Sequence, residues 1–258
     1  MTSGARQTGD FCWINILTPS VDSAREFFHE LLGWSYEAVE GAGHIILVNG
    51  RRIGGIFASD GVGMPAGTHP HISVVLKVDD ASHAARRVSM LGGLSRSPFD
   101  IPDQGRMSVC HDSNGAAFDV WETTTMSGIE ANSTLHGVPS WFEAVTTDVA
   151  RATDFYCDLF GWSASAYTGG PVAYTTFALD GRPIAGMLSI NDIPPHDVPV
   201  LPHWGTYFTV DDAAAVVAKA VALGANNSVP LMTIAGGARI AGFESPHGVP
   251  FYVIEYAR

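Results

Sequence analysis

The stretch REFFHELLGW at residues 25–34 decides the fold, because TDFYCDLFGW at residues 153–162 repeats its pattern 128 positions later. Each segment spaces its apolar residues along one face of a helix. Each then places a glycine where a left-handed residue ends a helix, and a tryptophan directly after it. A chain that contains one helix twice is predicted to contain a whole structural unit twice.

The repeat extends outward from these helices in both directions. WINILTPSVDSAREFFHELLGW aligns without a gap to WFEAVTTDVARATDFYCDLFGW, and ILVNGRRIGGIF pairs with FALDGRPIAGML. HISVVLKVDDA (71–81) pairs with HWGTYFTVDDA (203–213), and GRMSVCHDSNGAAFDVWE pairs with GARIAGFESPHGVPFYVIE. The sequence therefore predicts two copies, residues 10–125 and 137–257, joined by a Thr-, Ser- and Gly-rich linker at 123–139.

Each copy contains the same pattern twice. A strand leads into a helix, and apolar runs separated by turns follow the helix. Asn49-Gly50 and Asp180-Gly181 lie between apolar runs, which is a strong hairpin signal. Ser20 or Asp22 is suited to begin the first helix, and the Asp-Asp pairs at 79–80 and 211–212 are suited to cap later ones. The prediction is an α+β fold of four βαβββ units, paired into two curved mixed β-sheets with helices outside.

Composition limits the possible partners. The chain has 258 residues, of which 46% are apolar, and a net charge of −12 with only 14 Lys and Arg. Nucleic-acid binding needs a basic surface, so nucleic acid and anionic membrane surfaces are both disfavoured. No apolar run is long enough to span a bilayer. The partner is predicted to be a small molecule.

The start of the chain and its cysteines predict a cytoplasmic protein. Residues 1–10 lack the apolar region of a secretory signal. The three cysteines, Cys12, Cys110 and Cys157, are too far apart for a zinc motif or a disulfide framework. The internal duplication predicts either a monomer that contains its own pseudo-dimer or a homodimer.

The four units, the helices ending in LGW or FGW, the VDD segments and DSNGAAFDVWE together resemble the vicinal oxygen chelate superfamily. That group includes glyoxalase I, extradiol dioxygenases, fosfomycin-modifying enzymes and bleomycin-binding proteins. The resemblance covers nearly the whole chain and is closest to tandem, two-domain glyoxalase-like proteins. It implies curved sheets that half enclose a cavity, but a fold alone does not choose among these functions.

Strand alternation predicts which side chains face each cavity. In the first half these are Trp13, Asn15, Leu17, His71, Ser73, Val75, Lys77, Ala117, Asp119 and Trp121. In the second half they are Trp141, Glu143, Val145, His203, Gly205, Tyr207, Thr209, Pro250, Tyr252 and Ile254. Aromatic residues with a few polar groups are the usual lining of a small-molecule pocket.

The resemblance also implies where a catalytic metal would be held, and neither half has the complete set. The family's metal enzymes carry a His or Glu on the first strand, a His before VDD, and a Glu on the last strand. The matching positions here hold Trp13 or Trp141, Ser73 or Gly205, and Asp119 or Tyr252. A shifted set of Asn15, His71 and Asp119 is the metal-binding alternative, whereas Glu143 and His203 supply only two ligands. No cofactor is required by the sequence, and a divalent metal is left open.

Each candidate residue also has a structural interpretation. His71 and His203 follow prolines closely and could be solvated or bonded to the backbone, and Asp119 could be satisfied beside Arg106. The tryptophans could be packing residues. Glu143 lies on an otherwise apolar strand, where a lone acid requires a partner or a raised pKa.

Three classes of function follow from these residues. The first is a metal-free enzyme of lyase, isomerase or ring-modifying type, with Glu143, His203 and Tyr252 catalytic. Its substrate would lie against Trp141, Tyr207, Trp13, Asn15 and Trp121. The second is a non-catalytic protein that sequesters an antibiotic or a metabolite. The third is a divalent-metal-dependent enzyme that uses Asp119 and His71, either a metal-assisted lyase or isomerase or a ring-cleaving dioxygenase. The cost of keeping Glu143 in a pocket favours an enzyme, with the working site in the second half.

Overall fold

The computed structural model describes residues 6–39, 43–61, 67–123, 128–169, 172–193 and 200–257. The elements of the first half are β1 (Phe11–Thr18), α1 (Val21–Leu32), β2 (Ser35–Val39), β3 (Gly43–Val48), β4 (Arg51–Ala58), β5 (His71–Lys77), α2 (Ala81–Met90), β6 (Leu94–Ser95), β7 (Phe99–Ile101), β8 (Gly105–His111) and β9 (Ala117–Thr123). Those of the second half are β10 (Pro139–Thr146), α3 (Val149–Phe160), β11 (Ser163–Tyr167), β12 (Tyr174–Leu179), β13 (Arg182–Ser189), β14 (His203–Thr209), α4 (Ala213–Ala222), β15 (Asn226–Thr233), β16 (Arg239–Glu244) and β17 (Pro250–Glu255), with a short 3₁₀ helix at Ile190–Asp192.

Each half forms one mixed sheet in which two βαβββ units join through their first strands. The strand order is β2-β3-β4-β1-β5-β9-β8-β6 in the first half and β11-β12-β13-β10-β14-β17-β16-β15 in the second. In both sheets the central pair is antiparallel, and each of its strands pairs in parallel with the last strand of its own unit. The predicted α+β fold of four units in two curved sheets is confirmed. One detail differs, because the strand after α2 is split into β6 and β7 around Pro98.

The helix ends follow the sequence signals closely. Gly33 and Gly161 are left-handed, with φ of 70° and 71°, and end α1 and α3. Asp80 and Asp212 cap α2 and α4 by accepting hydrogen bonds from backbone N–H groups. Ser20 occupies the start of α1 without a side-chain cap bond. The other aspartate of each pair does not cap a helix: Asp79 pairs with Lys77, and Asp211 with His136.

The two halves share one hydrophobic core, because the first helix of each half contacts both its own sheet and the sheet of the other half. The ring centroids of Phe28 on α1 and Phe251 on β17 are 5.3 Å apart. Reciprocally, Phe155 on α3 lies 6.1 Å from Phe118 on β9. Phe11 and Phe142, on the two first strands, stack at 4.1 Å.

The repeated tryptophans form hydrogen bonds between the two halves. Trp34 Nε1 donates to the carbonyl of Gly137, 2.8 Å away, at the entrance to the second half. Trp162 Nε1 donates to the carbonyl of Gly9, 3.0 Å away, at the entrance to the first. The last residue of the LGW and FGW motifs therefore joins each half to the other. Residues 124–127 of the predicted linker lie outside the described residues. None of the described helices is long and apolar enough to cross a bilayer.

A buried polar chain also crosses between the halves. Tyr156 on α3 donates its hydroxyl proton to Asp112 Oδ2 over 2.9 Å, and Trp204 Nε1 donates to the Tyr156 oxygen over 2.8 Å. The other oxygen of Asp112 accepts the backbone N–H groups of Asn114 and Ala116. All of these side-chain atoms lie in the apolar core, where an unmatched polar atom is costly.

Removing one hydroxyl from this chain is expected to destabilise the protein. Tyr156→Phe leaves both Asp112 Oδ2 and Trp204 Nε1 without their partner, so the free energy of unfolding should fall by about 2–3 kcal/mol. Urea denaturation followed by circular dichroism measures this change. Tyr256→Phe, which removes an exposed hydroxyl bonded to Ser140, is the control and should change stability by less than about 0.5 kcal/mol. Equal effects of the two substitutions would contradict the role assigned to Tyr156.

Candidate functional site

The face of each sheet that is turned away from the shared core carries a separate side-chain cluster. Ile14 and Ile16 of β1 belong to the core, as alternation predicts. Their neighbour Trp13 lies with Val75 and Trp121 in a cluster on the opposite, concave face. On the second sheet, Trp141, Tyr207 and Tyr252 form the corresponding cluster. The concave faces therefore hold the residues to which the sequence assigns ligand contact.

Glu143 is the centre of the second concave face. Its Oε1 accepts a hydrogen bond from the Tyr207 hydroxyl, and its Oε2 accepts one from the Tyr174 hydroxyl, each over 2.8 Å. Trp141 Nε1 in turn donates to the Tyr174 oxygen over 3.0 Å. The carboxylate is thus held in place by two phenols, one of which is itself fixed by an indole.

Glycines on neighbouring strands make room for the tyrosine rings. A Cβ added at Gly186 would lie 1.8 Å from the Tyr174 hydroxyl oxygen. Added at Gly205 or Gly242, it would lie 2.8 Å from the Tyr252 ring. Tyr252 lies flat between these two strands and stacks on Tyr207, with ring centroids 4.8 Å apart and planes inclined by 21°. The tyrosine rings of this face therefore pack directly against glycine residues, where no Cβ atom is in the way.

The surroundings of Glu143 act on the pKa of its carboxyl group in two opposite directions. Burial raises the pKa of its carboxyl group, and the hydrogen bonds from Tyr207 and Tyr174 oppose that rise. Burial also raises the pKa of Tyr252 to about 12 and the pKa of Tyr207 well above its ordinary value, so the phenols stay neutral donors near neutral pH. A carboxyl group whose pKa is moved toward neutrality suits proton transfer.

His203 lies at the start of β14, near Glu143 but not in contact with it. The strand register places Glu143 opposite Gly205, two residues along from His203. Diagonal neighbours of this kind are about 7–8 Å apart. His203 Nδ1 lies 2.8 Å from the carbonyl oxygen of Leu201, and burial lowers the pKa of the imidazole. The structure therefore shows a backbone-bonded histidine at the edge of the face, and its predicted catalytic role stays a prediction.

Tyr174 is the residue that sequence reasoning missed. It begins β12, which pairs with β13, and β13 in turn lies beside Glu143 on β10. Thr176 on β12 is opposite Gly186 on β13, and Gly186 is opposite Glu143. Residues two apart on a strand point to the same face, so Tyr174 lies on the concave face with Glu143. That signal could be used only once the strand order was known.

The first concave face holds a different and more enclosed carboxyl group. Asp119 Oδ2 accepts a hydrogen bond from Ser73 Oγ over 2.7 Å, and the Asn15 side chain also bonds to the carboxylate. Trp13 and Trp121 meet edge to face, with centroids 6.2 Å apart. The expected contact between Asp119 and Arg106 is wrong, because Arg106 pairs with Asp100 on the adjacent strand β7.

The shifted metal-ligand set is not brought together. Asp119 is opposite Val75, four residues along β5 from His71, which is about 13 Å at the rise of a strand. His71 Nδ1 lies 2.8 Å from the carbonyl oxygen of His69. Within the described ranges no group of three or more His, Cys, Asp or Glu side chains is arranged to hold a metal. The donors that lie together, Asp119 with Ser73 and Asn15 or Glu143 with two tyrosines, include one carboxylate each, so neither cluster has the three strong protein ligands of a catalytic zinc site.

Asp119 is expected to make stability depend on pH in the acid range. Burial raises the pKa of its carboxyl group from 3.8 to about 6, so the folded protein holds this proton more tightly than the unfolded chain does. The resulting stability is fully present below pH ~4 and is lost as the pH rises through about 6. Relative to Asp119→Asn, the wild type should lose about 3 kcal/mol of unfolding free energy between pH ~4 and pH ~7.

Urea denaturation at several pH values measures this difference. Glu244→Gln, at an exposed position on β16, is the control and should follow the wild type throughout. A difference between wild type and Asp119→Asn that does not change with pH would show that the Asp119 carboxyl group has no raised pKa.

The comparisons with known proteins agree with this architecture. The sequence profile of the Glyoxalase/Bleomycin resistance protein/Dioxygenase superfamily matches residues 11–120 and 139–253. Anthracycline biosynthesis protein DnrV of Streptomyces peucetius is 31% identical over 264 residues, covering 94% of this chain and 92% of that protein. Anthracycline biosynthesis protein DauV of Streptomyces sp. (strain C5) is 30% identical over 263 residues, with the same coverage of both chains.

Solved structures share the fold at low sequence identity. BphC, a halotolerant catechol dioxygenase, has a TM-score of 0.63 at 12% identity, covering 96% of this chain and 87% of that chain. The Mn(II)-bound glyoxalase from Novosphingobium aromaticivorans has a TM-score of 0.66 at 11% identity, covering 98% of this chain and 83% of that chain. At such identities the likeness concerns the fold alone.

Proposed function

Because the chain belongs to the glyoxalase/bleomycin resistance protein/dioxygenase superfamily, we propose that its second concave face binds a small, partly aromatic or carbonyl-bearing metabolite. We propose further that Glu143 exchanges a proton with this metabolite. The observation that carries the proposal is the Glu143 carboxylate, fixed between Tyr174 and Tyr207 beside the Trp141 and Tyr252 rings. A protein that needed only packing at this position would gain nothing from a carboxyl group there.

The arrangement supports proton transfer next to a carbonyl group. Glu143 takes a proton from the carbon beside the carbonyl. The electron pair of that C–H bond forms the C=C bond of an enolate, and the π pair of the carbonyl moves to its oxygen. No hydrogen bond from the Tyr252 hydroxyl to a described residue is formed, so this hydroxyl can donate to the developing oxyanion. Return of the proton to another carbon gives an isomerase, and departure of a leaving group gives a lyase. His203, at the edge of the face, is the proposed partner for proton exchange with solvent.

The aromatic rings of the second concave face favour a planar ligand. Trp141 and Tyr252 are partly exposed aromatic side chains on this face, and the buried Tyr207 stacks on Tyr252. Curated relatives are named as anthracycline biosynthesis proteins. We therefore propose a fused or substituted aromatic ring system with carbonyl groups as the ligand class. Trp13, Asn15 and Trp121 belong to the other half, and the proposal assigns them to a scaffold face.

Sequestration without chemistry is the second candidate. It is favoured by the fact that both oxygens of Glu143 already accept phenol protons, which would suit a fixed recognition site equally well. The metal-dependent dioxygenase gains no support from the donors described above. Elemental analysis of protein purified without added metal tests that class, which predicts about one bound divalent ion per chain.

The test of the proposal has two parts. Titration with 1,4-dihydroxyanthraquinone, followed by tryptophan fluorescence, should give one tight site per chain that Trp141→Phe weakens and Trp13→Phe leaves unchanged. Incubation of aryl ketones with the protein in D₂O, followed by mass spectrometry, should show deuterium at the carbon beside the carbonyl. Binding without exchange of any ketone would favour sequestration, and two equal sites per chain would contradict the assignment to one half.

A further inference from the structure

The Glu143 carboxylate lacks a positive partner in the part of the chain that the structure describes. The influences on its pKa are burial and the two tyrosine hydroxyls, with no Lys, Arg or His among them. Asp10 and Glu255 pair with Arg182 and Arg239, whereas the buried Asp112 and Asp119 are held by neutral donors, as Glu143 is. Unlike those two aspartates, Glu143 is partly exposed on its face of the sheet. A desolvated carboxylate without a cation is a natural place for a ligand to supply one.

The aromatic rings around Glu143 also favour a cationic ligand. The side chains of Trp141, Tyr174, Tyr207 and Tyr252 gather around the carboxylate on four different strands. Aromatic faces attract organic cations through their quadrupole, and cages of such rings bind alkylammonium groups. The net charge of −12 adds a long-range attraction for cations.

We propose that the ligand of this site carries an alkylammonium group on its planar ring system. The ammonium group lies against the Glu143 carboxylate and beside the partly exposed Tyr252 ring, which Tyr207 supports by stacking on it. The inference rests on the proposed function only in its placement of the ligand on the second concave face, because charge recognition does not depend on proton transfer. The first face offers no equivalent site, since Asp119 is 5% exposed and is closed over by Ser73 and Asn15.

Two probes of nearly the same shape but different charge test this proposal. We expect the wild type to bind 2-phenylethylammonium at least about tenfold more tightly than neutral 2-phenylethanol, measured by calorimetry or tryptophan fluorescence at constant ionic strength. Glu143→Gln should bind the two probes equally. Glu244→Gln removes the same charge from an exposed position of the same half and should keep the preference.

A second pair of variants tests the ring contribution without disturbing the carboxylate. Tyr252→Phe keeps the aromatic face and should keep the preference, whereas Tyr252→Leu should reduce it severalfold. Circular dichroism confirms that each variant is folded. Equal binding of the probes by the wild type, absence of binding by both, or a preference that survives in Glu143→Gln would overturn the proposal.

Different experimental results would contradict this inference and the proposed function. If the wild type shows no charge preference but Glu143→Gln loses deuterium exchange, the ligand is neutral and the proton-transfer role stands. If the charge preference depends on Glu143 but no ketone exchanges, the site recognises cations and the enzymatic proposal fails.

Discussion

Glu143→Gln is expected to lower the rate of deuterium exchange at least about 100-fold while ligand affinity changes by less than about tenfold, or about 1.4 kcal/mol, for a neutral ketone. The amide has the shape of the carboxyl group, and its oxygen can still accept the hydrogen bond from one tyrosine. Its NH₂ group must then face the other phenol, whose oxygen can accept. The geometry therefore survives, but the group can no longer take up a proton.

Asp119→Asn is the matched variant for this measurement, since it makes the same chemical change on the corresponding face of the other half. Its exchange rate is expected to stay within about twofold of the wild type. If Asp119→Asn proves inactive and Glu143→Gln proves active, the working site lies in the first half. If both variants exchange deuterium at the wild-type rate, neither carboxyl group transfers the proton.

Neither half is expected to fold alone. Separation would expose Phe27, Phe28, Phe155 and Phe118 to water and would break the bonds of Trp34 to Gly137 and of Trp162 to Gly9. Exposing a buried aromatic or aliphatic side chain costs about 1.5–3 kcal/mol. Four such losses, about 6–12 kcal/mol together, are comparable to the whole free energy of about 5–15 kcal/mol that stabilises a typical domain.

Expression of residues 1–126 and 127–258 as separate chains tests this expectation. Each fragment alone should lack a cooperative urea transition and should bind the dye that reports exposed apolar surface. The two fragments mixed in equal amounts should recover the circular dichroism spectrum of the intact chain. A single fragment that unfolds cooperatively would show that the shared core is not required.

The sequence predicted the local structure well because each of its signals acts locally. Gly33 and Gly161 mark helix ends through their own backbone preference, and alternation places Ile14 on one face and Trp13 on the other regardless of what lies nearby. Because the two halves align at a constant offset of 128 residues, each assignment in one half also applied to the equivalent residue of the other. The chemically unlike pair Asn15 and Glu143 was identified in this way.

The parts that the sequence did not predict depend on which elements become neighbours. An amphipathic helix has the same pattern whether it covers one sheet or lies between two, so the packing of α1 and α3 against the other half left no trace in the periodicity. The partner of Arg106 was missed for the same reason, since Asp100 reaches it only through the short strand β7. Tyr174 became visible only when β12 was placed two strands from β10.

The reciprocal bonds of Trp34 to Gly137 and Trp162 to Gly9 have a consequence for how this protein can change. They are the two equivalent halves of the kind of isologous contact by which two identical subunits associate about a twofold axis. In an association of identical subunits, any substitution enters both concave faces at once, so a change that helps one face must be tolerated by the other. A single continuous chain removes that coupling. One face could thus acquire a carboxylate at position 143 while position 15 kept an amide, with the shared scaffold holding both unchanged.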